Sequence, residues 1–416
     1  MSLEIRDIVD SAADQDAWFR AVYTGFLTAE APSPEQLAER RERSEMGRAQ
    51  GAFDGDRCVA TFRSFDQELT VPGGGVVRAD AVSGVTVTAT HRRRGLLTRM
   101  MTRDLTEARE RGDVVATLAA AEFLIYGRYG FGPAARTAEW RVEKPLARFD
   151  PRWTLPESEG TVAFVDGAEV RKEGPAVHER FRRGRAGAVD TVPMYWERLT
   201  GEVRWGPDAW KEPFYVLFRD PAGEAQGLVV FDVQDAWRDV QPANVAKVRK
   251  LFAATPAAER ALWRFLLSID WVSEVRTSDE GDPDALLPLL LPNQRAATTL
   301  SHADLLWVRP LDVPGMLTAR RYSASGALVL DIRDPLGLSE GRYLLEVSEA
   351  GASCVPTTRS ADLTLDTGAL SALYLGDASA ARLAAAGLVD ANADGAPDRA
   401  DALFRTGRRP WCPDTF

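Results

Sequence analysis

A mixed α/β unit at the start, followed by further domains of helix and strand, is the architecture this sequence predicts. Three observations predict it. The chain has 416 residues, and at roughly 150 residues per domain that implies two to three domains. Around residue 90 a strand-like run, a basic glycine turn, an amphipathic run and another strand follow one another, the pattern of a β-α-β unit. Proline-bearing stretches at 142–156 and 286–292 then divide the chain into regions of 1–140, 141–300 and 301–416.

In the first region the strand-like runs are 52–63, 69–71, 82–88 and 114–120. A helix is expected over 96–111, where Leu97, Met100, Met101, Leu105 and Ala108 recur at helical spacing. Gly112 follows as a stop, and Arg109 and Arg111 suit the negative end of the helix dipole. The second region is rich in tryptophan, with strands expected at 214–219 and 227–232 and a helix at 256–268. The third carries strands at 305–308, 326–332 and 343–348, an alanine-rich helix at 378–386 and an extended tail over 409–416.

At 45% hydrophobic and 27% charged the composition is that of a globular protein, which excludes the disordered classes. The 51 Lys and Arg against 61 Asp and Glu leave a net charge of −10. That argues against nucleic acid as a partner, because phosphate contacts dominate such binding, and it is compatible with a cationic substrate. Three scattered cysteines and three scattered histidines give no metal-ligand spacing and no disulfide framework. Neither an apolar leader nor an 18-residue apolar run is present, so no membrane partner is expected and a cytoplasmic location is.

The most informative stretch runs from Val82 through Thr88 to His91, Arg92, Arg93, Arg94, Gly95, Leu96 and Leu97. It reads as a strand, a basic turn and a helix N-terminus. Amides at a helix start lack intrahelical acceptors and the dipole there is positive, so the arrangement can cradle an anion such as a pyrophosphate. The arginines would add charge-assisted contacts. A solvated basic turn is the competing reading of the three arginines. A second match to the loop pattern, Arg171–Ala176, is set aside because Pro175 has no amide to donate and no long amphipathic helix is expected behind it.

The next strand ends in small residues, Ala119–Ala121, then Glu122, and Tyr126 follows in a glycine-rich turn. A phenol stays protonated at neutral pH and can donate to a leaving thiolate. Alternatively Tyr126, Tyr129 and Phe131 simply fill a core beneath the turn.

Together, THRRRGLL and the later AEFLIYGRYGFGPA resemble the Eis family of GNAT acetyltransferases, with further similarity around Trp196 and at the aromatic C-terminus. The resemblance implies α/β and α+β architecture: two fused GNAT-like domains, each a mixed sheet flanked by helices, plus a C-terminal sterol-carrier-protein-like domain. Only the first GNAT domain would bind acetyl-CoA, and the C-terminal tail would return to the active site. Val85, Thr86 and Val87 would then hold the pantetheine; Arg92, Arg93, Arg94, Gly95, Leu96, Leu97 and Thr98 the pyrophosphate; Ala121 and Glu122 the splayed strand. Leu97 stands where the consensus has a small residue, and Ala121 where some relatives have serine. Tyr126 would be the general acid and the terminal carboxylate of Phe416 the general base. Phe26, Glu30, Trp196 and Asp414 would line the acceptor pocket, with few basic groups beside them. The implied acceptors are primary amines, aminoglycosides among them at several positions, and the implied assembly is a homo-hexamer. Two rival readings accompany this one. The first is a GNAT acting on protein lysine or a metabolite amine; the second is a lipid carrier with a vestigial GNAT fold.

Overall fold

The computed structural model describes residues 3–147, 159–205 and 209–416. The first region supplies β1 (Glu4–Asp7), α1 (Ala12–Gly25), α2 (Pro34–Arg43), β2 (Arg48–Asp54), β3 (Arg57–Thr70), β4 (Val76–Val87), α3 (Leu96–Glu110), β5 (Val115–Ala119), α4 (Phe123–Tyr126), β6 (Gly132–Glu143) and α5 (Lys144–Ala147). The second supplies β7 (Thr161–Val165), α6 (Gly167–Arg183), α7 (Pro193–Leu199), β8 (Phe214–Arg219), β9 (Ala225–Gln234) and a small ribbon of β10 (Trp237–Arg238) and β11 (Gln241–Pro242). It continues with β12 (Asn244–Ala253), α8 (Pro256–Ser268), β13 (Val272–Thr277) and β14 (Ala297–Pro310). The last region holds α9 (Val313–Ala319), β15 (Gly326–Arg333), β16 (Gly341–Ser348), β17 (Gly351–Pro356), β18 (Leu363–Asp366), α10 (Thr367–Tyr374), α11 (Ala380–Ala385), β19 (Val389–Ala391) and α12 (Ala396–Phe404).

Twelve of these strands form one mixed sheet in the order β1-β2-β3-β4-β5-β14-β6-β13-β12-β9-β8-β7, and five more form a second, β17-β16-β15-β18-β19. The seam of the large sheet is β14. Its last five residues pair antiparallel with β5 and most of its length pairs with β6, so a strand from the second region is built into the sheet of the first. Accordingly, the boundary expected at 300 falls inside β14 and the one expected at 140 falls inside β6. Backbone pairing carries no local punctuation, and neither position is marked by a turn signal.

Several expected elements shift for similar reasons. The run 52–63 is two strands, because Gly55 turns the chain at φ +61° between β2 and β3, and β3 then runs on to Thr70. The expected junction at 286–292 is core: Leu287, Leu290 and Leu291 are buried against α8. Of the stretch 142–156, residues up to 147 belong to β6 and α5, while Pro151 and Pro156 lie outside the described residues. Arg171–Ala176 lies within α6, so it is no loop, and Gly174 is needed there because a Cβ would come within 2.4 Å of the Trp196 ring. Helices α1, α2, α6 and α7 come from sequence that the periodicity reading leaves unassigned. Among the described residues no helix is long and apolar enough to cross a membrane.

One core joins the third region to the sheet. Leu69, Val115, Leu306 and Val308 from the large sheet pack with Leu330, Leu345, Leu370 and Tyr374. Close approach at Gly132 is required, since a Cβ there would lie 2.1 Å from the Gly368 carbonyl oxygen at the start of α10. Arg309 of β14 crosses this contact and forms a bidentate ion pair with Asp334 at 2.8 and 2.7 Å, both side chains fully buried. Burial alone would raise the Asp334 carboxyl pKa, but Arg309 more than offsets it and holds the group below its ordinary value. The stabilisation from Asp334 is thus complete above about pH 4 and is lost only as pH falls through the lowered value. Asp334→Ala leaves a buried, unpaired guanidinium and is expected to cost about 3–5 kcal/mol. Urea unfolding at pH 7 checks this, and a loss under 1 kcal/mol contradicts it.

Candidate active site

β4 and β5 run parallel at only three positions, Ala79–Ala81 against Val115–Thr117. Beyond them β5 continues along β14, while β4 stays with β3. The backbone groups of Val82–Val87 on the side facing β5 therefore have no partner strand, and they open onto a cleft of about 1470 Å³. Such an edge can pair with an amide-bearing ligand as a strand would.

The turn after β4 is conformationally special. Arg93 and Gly95 both adopt left-handed backbone, at φ +62° and +73°, which is strained for Arg93 and free for Gly95. A Cβ on Gly95 would meet no atom within 4 Å. Helix α3 begins there with no side-chain cap and no acidic residue in its first turn. By contrast α1, α2, α6, α8, α10 and α11 each begin with a capping Ser, Thr or Asp. The exposed amides and the exposed Arg92, Arg93 and Arg94 together make a positive concavity. His91 does not share in it: the ring is buried, 2.8 Å from Thr90 Oγ1 and 3.3 Å from Asp54 Oδ2.

The equivalent helix of the second region, α8, offers no such cradle. Thr255 caps the amide of Ala258 at 3.2 Å, Pro256 has none to donate, and Glu259 puts negative charge in the first turn.

Opposite the cradle, α4 ends on Tyr126, which is buried beside Phe131 with ring centroids 6.3 Å apart. Burial, then the nearby Glu122 and Tyr129, raise its phenol pKa above 10, so the group is protonated throughout the physiological range. Glu122 itself is exposed and 3.7 Å from Arg92.

The C-terminal tail reaches the same cleft. Trp411 donates its amide to the Ala186 carbonyl and its indole N–H to the Glu280 carbonyl, both at 2.9 Å. Asp414 is buried, with Oδ2 2.9 Å from His178 Nε2 and Oδ1 3.8 Å from Lys250. Phe416 lines the cleft, its ring packed edge-on against Phe65 of β3 at 6.1 Å.

Val85–Val87, Arg92–Thr98, Ala121, Glu122, Tyr126, Phe26 and Phe416 all line this one cleft. Three expected acceptor residues do not. Trp196 is 2% exposed and fills the core under α6 against Gly174 and His178. Asp414 is held by His178 and serves to anchor the tail. Glu30 sits on an exposed turn outside the lining. The expectation of few basic groups also fails: Arg40, Arg63, Arg198, Arg204, Lys211 and Arg249 line the acceptor end. Trp18, Trp205 and Trp210 line it too. These residues come from α1, α2, β3, α7, the loop after it and β12, and no motif links segments so far apart in sequence.

This splayed strand pair with an uncapped helix is a fold that known proteins share. A family model described as acetyltransferase (GNAT) domain matches residues 4–134, and a second with the same description matches 187–310. One described as sterol carrier protein domain matches 313–413. The protein is thus an N-acetyltransferase, an enzyme of two GNAT domains and a sterol-carrier-type domain in mixed α/β layers. An uncharacterized N-acetyltransferase of Streptomyces avermitilis is 55% identical over 100% of this chain and 99% of its own. N-acetyltransferase Eis of Mycobacterium tuberculosis is 35% identical over 85% of each chain. The crystal structure of Eis1 from Mycobacterium abscessus matches all of both chains with a TM-score of 0.85 at 31% identity. The chain belongs to the Eis family of GNAT N-acetyltransferases.

Gly95→Trp puts an indole over the α3 amides on a left-handed backbone. The expected result is at least a tenfold loss of CoA affinity by calorimetry in a variant whose circular dichroism is unchanged. Wild-type affinity in a folded variant contradicts the cradle.

Proposed function

We propose that the enzyme moves an acetyl group from acetyl-CoA to a primary amine of a small molecule. The observation that carries this reading is the uncapped start of α3 beside the unpaired edge of β4, with Tyr126 and the chain terminus in the same cleft. The α3 amides and Arg92–Arg94 would take the pyrophosphate, and Val85–Val87 would pair with the pantetheine amides. Ala121 and Glu122 flank the other side of the opening.

Acetyl transfer from an ammonium takes two protons off nitrogen and puts one on sulfur. The terminal carboxylate of Phe416 accepts the proton of the ammonium, freeing the nitrogen lone pair to attack the thioester carbonyl carbon. A C–N bond forms, the C–S bond breaks, and Tyr126 Oη delivers a proton to the departing sulfur; the nitrogen then gives up its second proton, which restores the phenol, and the proton held by Phe416 passes to solvent. A raised phenol pKa keeps that proton in place until the thiolate develops.

Aminoglycosides, at several amines, are the acceptors that the family resemblance implies, and a homo-hexamer is its implied assembly. The arginines of the acceptor end disfavour polycations, and the retained cradle disfavours a lipid carrier with a vestigial fold.

Tyr126→Phe is expected to lower kcat by about 10²–10⁴-fold with little change in CoA affinity. Wild-type kcat, where chemistry limits the rate, returns Tyr126 to a packing role. Deleting Phe416, or extending the chain beyond it, is expected to abolish turnover while CoA still binds. Full activity in a C-terminally tagged enzyme removes the carboxylate from the mechanism.

A further inference from the structure

The acceptor end of the cleft gathers more cations than anions: Arg40, Arg63, Arg198, Arg204, Lys211 and Arg249 line it with the terminal carboxylate of Phe416, and Glu45 acts on Arg63 from outside the lining. Among the described lining residues the only acidic side chain is Glu122, at the cradle end and beside Arg92. Of the acceptor-end cations, Arg249 is occupied by a bidentate pair with Asp232, and Arg204 donates Nε to the Gly201 carbonyl at 2.8 Å. Arg63 and Arg198 differ: neither makes a hydrogen bond or ion pair with a described residue. Arg40 spends Nη2 on Tyr23 Oη at 2.6 Å and the Trp205 carbonyl at 2.8 Å, yet its Nε is buried without an acceptor. The indole N–H of Trp205 is a second buried donor without an acceptor among the described residues.

These cations are held in place. The Arg40 and Arg198 guanidinium carbons lie 4.7 and 5.0 Å from the centroid of Trp205, and that of Arg63 lies 5.3 Å from Phe65. Phe65 in turn packs on Phe416, which puts Arg63 beside the chain terminus. Burial lowers the pKa of Arg63 and Arg40; Glu45 opposes it at Arg63 and Tyr23 at Arg40, and repulsion from neighbouring arginines adds to the lowering. Preorganised donors with no acceptor, partly withdrawn from water, are an arrangement that receives an oxyanion. The cluster comes from α2, β3 and α7, whereas the pyrophosphate cradle lies at the start of α3, so the donor's phosphates do not explain it.

We propose that the acceptor is an amine that also carries an oxyanion, a carboxylate or a phosphate, bound by Arg63 and Arg198 with Arg40 Nε and Trp205 Nε1. The inference rests on the amine-acetylating reading above and narrows it: the substrate is zwitterionic, with an aromatic or apolar body against Trp18 and Trp205. Polycationic amines are repelled from the same place.

Thiol release with acetyl-CoA tests this using amines that differ only in the anion, tyrosine against tyramine and phosphotyrosine against tyrosine, with kanamycin as the polycation. The expected result is kcat/KM at least tenfold higher for tyrosine than for tyramine, the phosphotyrosine arm showing which oxyanion is preferred. Arg63→Gln and the more exposed Arg198→Gln should each move the tyrosine-to-tyramine ratio toward one with the KM for acetyl-CoA unchanged. A wild-type ratio at or below one, or a ratio that both variants leave intact, overturns the proposal while the amine-acetylating reading stands. If no amine is turned over, that reading fails, and calorimetry on the CoA-saturated enzyme judges the arginine cluster alone. Titration with 3-(4-hydroxyphenyl)propionate should then show binding that weakens at least tenfold in Arg63→Gln. No binding to the wild type, or equal binding to the variant, overturns the proposal.

Discussion

Everything in the site follows from the parting of β4 and β5 after Ala81. Two parallel strands that stayed paired would close the cleft and consume the hydrogen-bonding edge of Val82–Val87. They part because β14 takes over the far side of β5 and β3 retains β4. The same geometry aims α3 at the opening, since the chain has only the short turn 88–95 in which to pass from strand to helix. In the second region β12 and β13 stay paired over five positions, and the helix between them is capped by Thr255. One fold thus appears twice, with an uncapped helix start in the first copy and a capped one in the second.

The second constraint is the delivery of the chain terminus. A C-terminus ordinarily frays, but here residues 410–414 are buried. The tail crosses the second region pinned by Trp411 on Ala186 and Glu280 and by Asp414 on His178. Burial would raise the Asp414 pKa, yet His178 and Lys250 hold it below the ordinary value, so the anchor keeps its charge at neutral pH. The third region is itself fixed to the sheet through Arg309 and Asp334. The sterol-carrier-type domain can therefore be understood as the platform from which the last residue is carried to the cleft.

Charge is distributed against the average of the chain. A net charge of −10 suggests a protein that attracts cations, whereas the cleft is lined by Arg40, Arg63 and Arg198, with Glu45 acting on Arg63 from outside the lining. Net charge bears on solubility and long-range steering, but the field in a cleft is set by the few side chains that line it.

By itself the sequence determined the β-α-β core of the first domain, the cradle and the acid candidate. All of these are local: Val82–Leu97 is one continuous strand, turn and helix, and Glu122 and Tyr126 stand four residues apart. Helix α8 and strand β8 were legible to the residue for the same reason. Tertiary structure alone decided what depends on distant pairing. It put β14 between β5 and β6, turned Trp196 and Asp414 from pocket walls into core and anchor, and brought Arg40, Arg63 and Arg198 around Trp205. Hydrophobic period and turn chemistry act over a few residues, whereas sheet order and cleft charge depend on segments more than a hundred residues apart meeting in one place.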